Sequence, residues 1–238
     1  MDYIFGKNTV ESFLDSKSIV EVYIVNNFSD DRILPRLKQE KIKITIKDKN
    51  YLDKITNNGK HQGIVALIKS YNYSSLEEII EIGKTKQYPF IVMLDGIEDP
   101  HNFGAIIRTC EAFKVDGIII GKHSNCPLNA TVAKVSTGTI ANIKIAQVNN
   151  LTNTIKELKK CGYWIYAAEA SNSQSYDKVD YKSPVCLVVG SEGFGISRLV
   201  KEQADFNISI KMYGKVNSLN VSVATAILVS YISLNQNM

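Results

Sequence analysis

Two hydrophobic periods alternate along most of the chain. From Pro89 onward, short unbroken apolar runs such as FIVMLDG, DGIIIGK and CLVVG are separated by segments whose apolar residues recur every three to four positions, as in FGAIIRTCEAFK and LTNTIKELKKCG. Unbroken bulky runs read as strands buried on both faces, and the intervening segments as amphipathic helices that cover them. The further strands IKIAQV, YWIYAAEA and FNISI, the helices NATVAKVS and ISRLVKEQ, and a long last helix from Ser218 continue the alternation. This pattern predicts an α/β fold built on a mostly parallel sheet.

The N-terminal part has a different texture. KNTVESFL at 7–14 reads as a helix, with Asn8 or Thr9 as its cap and Val10, Phe13 and Leu14 on one face. VEVYIVNN and KIKITIK read as strands, the latter with Ile42, Ile44 and Ile46 on one side, and HQGIVALIK as another strand. RILPRLKQE resembles a helix interrupted early by Pro35. YNYSSLEE opens a helix with Ser74 or Ser75 as cap. A small α/β domain over 1–70, a linker helix over 71–88 and a larger domain over 89–238 are expected.

Composition narrows the class without naming a function. The 238 residues carry a formal net charge of +4, and residues 1–70 hold 12 Lys and Arg against 9 Asp and Glu. A basic face there could meet phosphates, although the run KQEKIKITIKDKN reads first as a solvated, lysine-protected edge strand. The four cysteines and three histidines are scattered without metal-ligand spacing, so no metal is expected. No secretory signal and no membrane-spanning stretch is expected either, which points to the cytoplasm.

Three loops at expected strand ends carry unusual chemistry. In DGIEDPHNFGAIIRT, Asn102 is placed to cap a helix, Gly104 permits close approach, and Arg108 falls about one turn in. In VVGSEGFGIS, Glu192 stands among Gly190, Gly193 and Gly195. In KMYGKVNSLNVSVATA, Ser218 and Asn220 open the last helix, and Ser222 and Ala224 keep one face small. The glycine order fits no dinucleotide fingerprint, nucleophile elbow or phosphate loop.

The segments DPHNFGAIIRTCEAF, VVGSEGFGIS and SLNVSVATAI, in that order, resemble the three motifs of the SpoU (TrmH) family of RNA ribose 2′-O-methyltransferases. Lys134, Ser136 and Gly138 in the intervening NATVAKVSTGTIANIKI extend the similarity, and residues from IFGKNTVESFL to HQGIVA resemble the small RNA-binding domain of members that modify large-subunit rRNA. The resemblance implies a C-terminal trefoil knot, S-adenosylmethionine as methyl donor and a homodimer. It implies backbone contacts to adenosine near Gly190, Ile210 and Leu219, with Ser191, Gly193 and Gly195 in the same cofactor loop. On that reading Arg108 binds phosphate and orients the hydroxyl, Asn102 orients the reacting region, and Ser218 and Asn220 complete a polar wall. Glu192 accepts from Arg108 or Asn102, or pins its loop through backbone N–H groups, or acts as a base. The implied substrate is RNA, foremost a guanosine of 23S rRNA, with transfer RNA or a non-catalytic ribosome-assembly role as alternatives. Tyr3, Phe5, Tyr23, Tyr51, Tyr71 and Tyr73 are candidate base-stacking rings, though local packing is the plainer reading for them.

Overall fold

A computed structural model describes residues 2–16, 18–69, 71–169 and 173–237. Ser70, at the expected domain end, and Ala170, the last residue of the expected strand YWIYAAEA, lie outside the described residues. The chain forms two compact units, Met1–Asn72 with Leu128–Asn142, and Tyr73–Pro127 with Ile143–Met238.

The first unit runs β1 (Asp2–Phe5), α1 (Lys7–Phe13), β2 (Ile19–Ile24), α2 (Ile33–Gln39), β3 (Lys43–Ile46), α3 (Lys49–Ile55) and β4 (Ile64–Ile68). Its sheet has the order β1-β4-β2-β3, with β4 antiparallel to both neighbours and β3 parallel to β2. Helix α1 is capped at Gly6, not at Asn8 or Thr9. Gly6 sits at φ +91°, a conformation open to glycine, so the chain turns out of β1 directly into the helix. Pro35 does not interrupt α2. It occupies the first turn, where a missing N–H costs little, and Asp30 Oδ1 accepts from the N–H groups of Arg32 and Ile33 instead. Strand β3 is a sheet edge whose Lys43 pairs with Glu21 at 3.0 Å, so part of the basic run is the lysine-protected edge. Ile46 is exposed, and Ile42 and Ile44 are half-buried, as an edge strand permits.

The second unit opens with α4 (Leu76–Gly83), β5 (Phe90–Asp95), α5 (Pro100–Ala112) and β6 (Gly117–Gly121). Ser75 caps α4, its Oγ accepting from Glu78 N–H at 3.2 Å. The chain then contributes Leu128–Asn142, with α6 (Ala130–Val135), to the first unit. There Lys134 Nζ lies 5.0 Å from the Phe5 ring centre, Ser136 is fully buried, and a Cβ on Gly138 would fall 1.7 Å from Ser12 Oγ. Packing within that unit therefore accounts for all three residues.

The second unit resumes with β7 (Ile145–Val148), α7 (Leu151–Lys160), β8 (Trp164–Ala168), β9 (Gln174–Ser175), β10 (Val185–Gly190), α8 (Arg198–Lys201), β11 (Phe206–Ser209) and α9 (Val221–Asn237). All seven strands pair in parallel, in the order β7-β6-β5-β10-β8-β11-β9. Every residue of β5, β6 and β10 is buried, as the unbroken apolar runs require. Helix α9 begins at Val221, three residues beyond the expected Ser218.

Candidate active site

Strands β5 and β10 are neighbours in register, with Asp95 opposite Gly190 at their C-terminal ends. The loops that follow them leave the same edge of the sheet side by side, the place where open α/β sheets bind ligands. Asp95 Oδ2 accepts from Ser197 N–H at 2.8 Å and ties the end of the second loop to the first strand. Sequence reading did not single out Asp95; an acid closing an otherwise apolar strand was the available signal.

The loop after β10 is folded on itself. Ser191 N–H donates to Gly195 O at 3.1 Å and Gly195 N–H returns a bond to Ser191 O at 2.9 Å. Ser191 Oγ accepts from Phe194 N–H at 3.3 Å. Gly190 is required by close approach: a Cβ there would lie 2.1 Å from the Gly195 carbonyl carbon and 2.3 Å from Ile196 N. Gly195, at φ +64°, closes the turn. A Cβ on Gly193 would meet nothing within 4 Å.

Three side chains from three distant segments converge beside this turn. Asn220 Nδ2 donates to Asn102 Oδ1 at 2.9 Å and also to Glu192 Oε1. Asn102 Nδ2 donates to the same Glu192 oxygen at 3.4 Å, and Val221 N–H donates to it at 3.2 Å. Asn220 Oδ1 accepts from Ser222 N–H at 3.0 Å, so Asn220 also caps α9. A carboxylate against the first N–H of a long helix is favoured by the helix dipole. Asn102 and Glu192 line a cavity of about 380 Å³ together with Asp95, Asp99, Phe194 and Val221, among others, and Asn220 lies outside that lining.

Two expectations about these residues change. Asn102 does not cap α5; Asp99 does, its side chain accepting from His101 N–H. That leaves the Asn102 amide free for Asn220 and Glu192. Because α5 starts at Pro100, Arg108 lies more than one turn in, about 12 Å along the axis from the first residue. Arg108 is exposed, and among the described residues its side chain makes no hydrogen bond or ion pair and does not line the cavity. Ser218 is likewise exposed and outside the cavity lining.

Gly190 ends β10 and Ile210 follows β11, strands that both flank β8, so both stand at the C-terminal edge of the sheet. No backbone-to-backbone hydrogen bond ties residues 210–219 to the rest of the described chain, although Ile210 and Leu219 are half-buried. Burial pushes the Cys110 and Cys186 thiols upward, away from the thiolate form. Among the described residues, no cluster of three or more His, Cys, Asp or Glu could hold a metal ion, and no helix is long and apolar enough to cross a membrane.

The first unit carries a separate, open groove of about 980 Å³ whose lining includes Asn27, Phe28, Lys47, Lys49, Lys60 and His61. The His61 ring is fixed on both sides: Nδ1 accepts from Gly63 N–H at 3.0 Å, and Nε2 lies 3.0 Å from Asp53 Oδ1. The tyrosines of this unit pack locally, Tyr23 between Tyr3 and Tyr51, and Tyr71 edge-on to Phe13.

Residues 89–230 match the SpoU rRNA methylase family, and residues 3–74 match the RNA 2′-O ribose methyltransferase substrate-binding family. A Staphylococcus haemolyticus protein named as a TrmH family tRNA/rRNA methyltransferase is 42% identical over 94% of this chain and 92% of its own length. The similarly named YacO of Bacillus subtilis is 38% identical over 99% of this chain and 96% of its own. Among solved structures, the SpoU methyltransferase AviRb from Streptomyces viridochromogenes superposes with a TM-score of 0.85 at 16% identity, covering 99% of this chain and 90% of that one. Its complex with the cofactor AdoMet gives 0.84 at 18% identity, covering 99% and 89%. The C-terminal trefoil knot expected from sequence fits this shared fold. With all three motif segments meeting at one sheet edge and the matches spanning nearly the whole length, the chain belongs to the SpoU rRNA methylase family.

Proposed function

We propose that this protein transfers a methyl group from S-adenosylmethionine to a ribose 2′-hydroxyl of RNA, with a guanosine of 23S rRNA as the target. The observation that carries the reading is the Asn102–Glu192–Asn220 network, which joins one residue from each of the three motif segments and of which Asn102 and Glu192 line a single cavity.

The chain has the features such a cofactor needs. The turn from Gly190 through Ser191, Gly193 and Gly195, together with the backbone at Ile210 and Leu219, which makes no backbone-to-backbone hydrogen bond among the described residues, would hold its adenosine moiety. When bound, it supplies an electrophilic methyl group on a sulfonium. The protein's part is to align the 2′-hydroxyl and let its proton leave. A guanidinium, with a pKa above about 12, is a poor proton acceptor. Arg108, exposed and with no side-chain partner among the described residues, grips the phosphate next to the target ribose and orients the hydroxyl, and phosphate or water takes the proton. Asn102 is held by Asn220, and Glu192 pins the loop by accepting from Asn102, Asn220 and Val221 N–H. Ser218 borders the same helix mouth.

The N-terminal match to a substrate-binding family and the lysines of the open groove support a structured RNA, bound through that unit over 1–70. RNA work of this kind belongs in the cytoplasm. A homodimer is the reading that α9 supports, since it carries no charged side chain and leaves Val223 and Leu234 exposed. Sedimentation of the wild-type protein tests it, and a monomer at micromolar concentration would remove that part of the reading.

The decisive experiment maps 2′-O-methyl positions in rRNA and tRNA from cells with and without the protein. Loss of one 23S rRNA guanosine position bears the proposal out, and loss of a tRNA position moves the substrate. Full methylation without the protein, with no calorimetric binding of S-adenosylmethionine, overturns the enzyme.

A further inference from the structure

Phe194 is 97% exposed, the most exposed large apolar side chain among the described residues. A single exposed apolar residue is ordinary, but this one does not sit on a loose surface loop. Its turn is closed by the reciprocal Ser191–Gly195 backbone bonds, its own N–H is held by Ser191 Oγ, and the base of the turn is packed backbone to backbone at Gly190. The ring is therefore carried outward on a pre-formed support. Phe194 also lines the cavity that contains Asn102, Glu192 and Val221.

A nucleotide whose 2′-hydroxyl reaches the polar network must place its base somewhere near the rim, out of its helical stack. Resting on the proposed RNA methyl transfer, we propose that Phe194 is the stacking platform for a nucleobase at or beside the methylated nucleotide. Stacking on an aromatic face is tolerant of base identity, because every base presents a π surface. Phe194 thus positions the substrate and takes no part in moving the proton or the methyl group. Of the first-unit rings that sequence suggested for stacking, Tyr3, Tyr23 and Tyr51 pack on one another, Tyr71 on Phe13, and Phe5 under Lys134, whereas this ring has no aromatic partner among the described residues.

The test uses the full chain, tritiated S-adenosylmethionine, and rRNA and tRNA purified from cells lacking the protein. Phe194→Ala raises the KM for RNA by about tenfold or more, with cofactor affinity by calorimetry and the sedimentation coefficient unchanged. Phe194→Tyr and Phe194→Trp keep KM near wild type, while Phe194→Leu, apolar but without a ring face, behaves like the alanine variant. A normal KM in Phe194→Ala, or rescue by leucine, overturns the stacking role alone. A shift in sedimentation instead of KM overturns it by assigning the ring to a subunit contact. A wild-type protein that binds no cofactor and methylates none of these RNAs overturns the function and the inference together.

Discussion

The amide nitrogen of Asn220 donates to Oδ1 of Asn102 at 2.9 Å, across 118 residues of sequence. The same Asn220 caps α9 through its own Oδ1, so one side chain fixes the start of the last helix and the orientation of a residue on α5. Asn220→Ala removes both functions. It should cost about 1 kcal/mol for the lost cap and lower kcat by more than that loss explains, because Asn102 and Glu192 lose their shared donor. Thermal denaturation and single-turnover kinetics measure the two effects separately. A variant with normal kcat would mean that the network is structural only.

Glu192 gives a sharper comparison. Asn102, Asn220 and Val221 N–H all direct their bonds to Oε1, as expected for an acceptor that holds a loop. Glu192→Gln preserves one acceptor oxygen, and activity should remain within about tenfold with an unchanged pH profile, whereas loss of a general base typically costs 10²–10⁴-fold. Glu192→Ala should fall well below Glu192→Gln. Equal, profound loss in both variants, with the acidic limb of the rate profile gone, would make Glu192 the base.

Arg108 should show the converse behaviour. Its side chain is exposed and has no ion pair or hydrogen bond among the described residues, so Arg108→Lys should leave stability within about 0.5 kcal/mol. The forked donors that bind and orient a phosphate are lost, and turnover should drop by about a hundredfold while cofactor affinity is retained. Near-normal turnover in Arg108→Lys would exclude the fork geometry.

What the chain disclosed before folding was unequal. The unbroken apolar runs of β5, β6 and β10 announce strands buried on both faces, and each is one. Short elements were harder: β9 has two residues and α8 four, too few for either period to register. Asn102 looked like a cap because it precedes an apolar helical segment, but Asp99 followed by Pro100 starts the helix one turn earlier. The motif segments named Asn102, Glu192 and Asn220, yet their mutual bonds span 28 to 118 residues, and no local pattern encodes a contact of that range. The reassignment of Leu128–Asn142 to the first unit is of the same kind.

Acid should weaken the first unit through Glu21. A hydrogen bond from Thr45, then one from Lys43, holds this carboxyl below its usual 4.5. A carboxylate with a lowered folded-state pKa stabilises above its unfolded value, and that contribution fades as pH falls through the folded one. Wild type should therefore exceed Glu21→Gln in denaturation midpoint at neutral pH, with the gap narrowing as pH falls below the usual carboxylate range. A gap independent of pH would assign the loss to packing against Tyr23, whose hydroxyl also bonds Glu21.

The turn after β10 offers a paired test of close approach. Gly190→Ala forces a Cβ to within 2.1 Å of the Gly195 carbonyl carbon, and the neighbouring atoms are all backbone, which cannot swing aside. Overpacking of this kind costs roughly 1–3 kcal/mol, a fall of about 2–12 °C in Tm for a chain of this size. Gly193→Ala, with open space at its Cβ, should keep its Tm within about 2 °C. Calorimetry on the same pair reads the cofactor loop directly: the Gly190 variant loses S-adenosylmethionine binding and the Gly193 variant keeps it. If Gly190→Ala bound the cofactor normally at an unchanged Tm, the backbone contact between Gly190 and Gly195 would not be what shapes that loop.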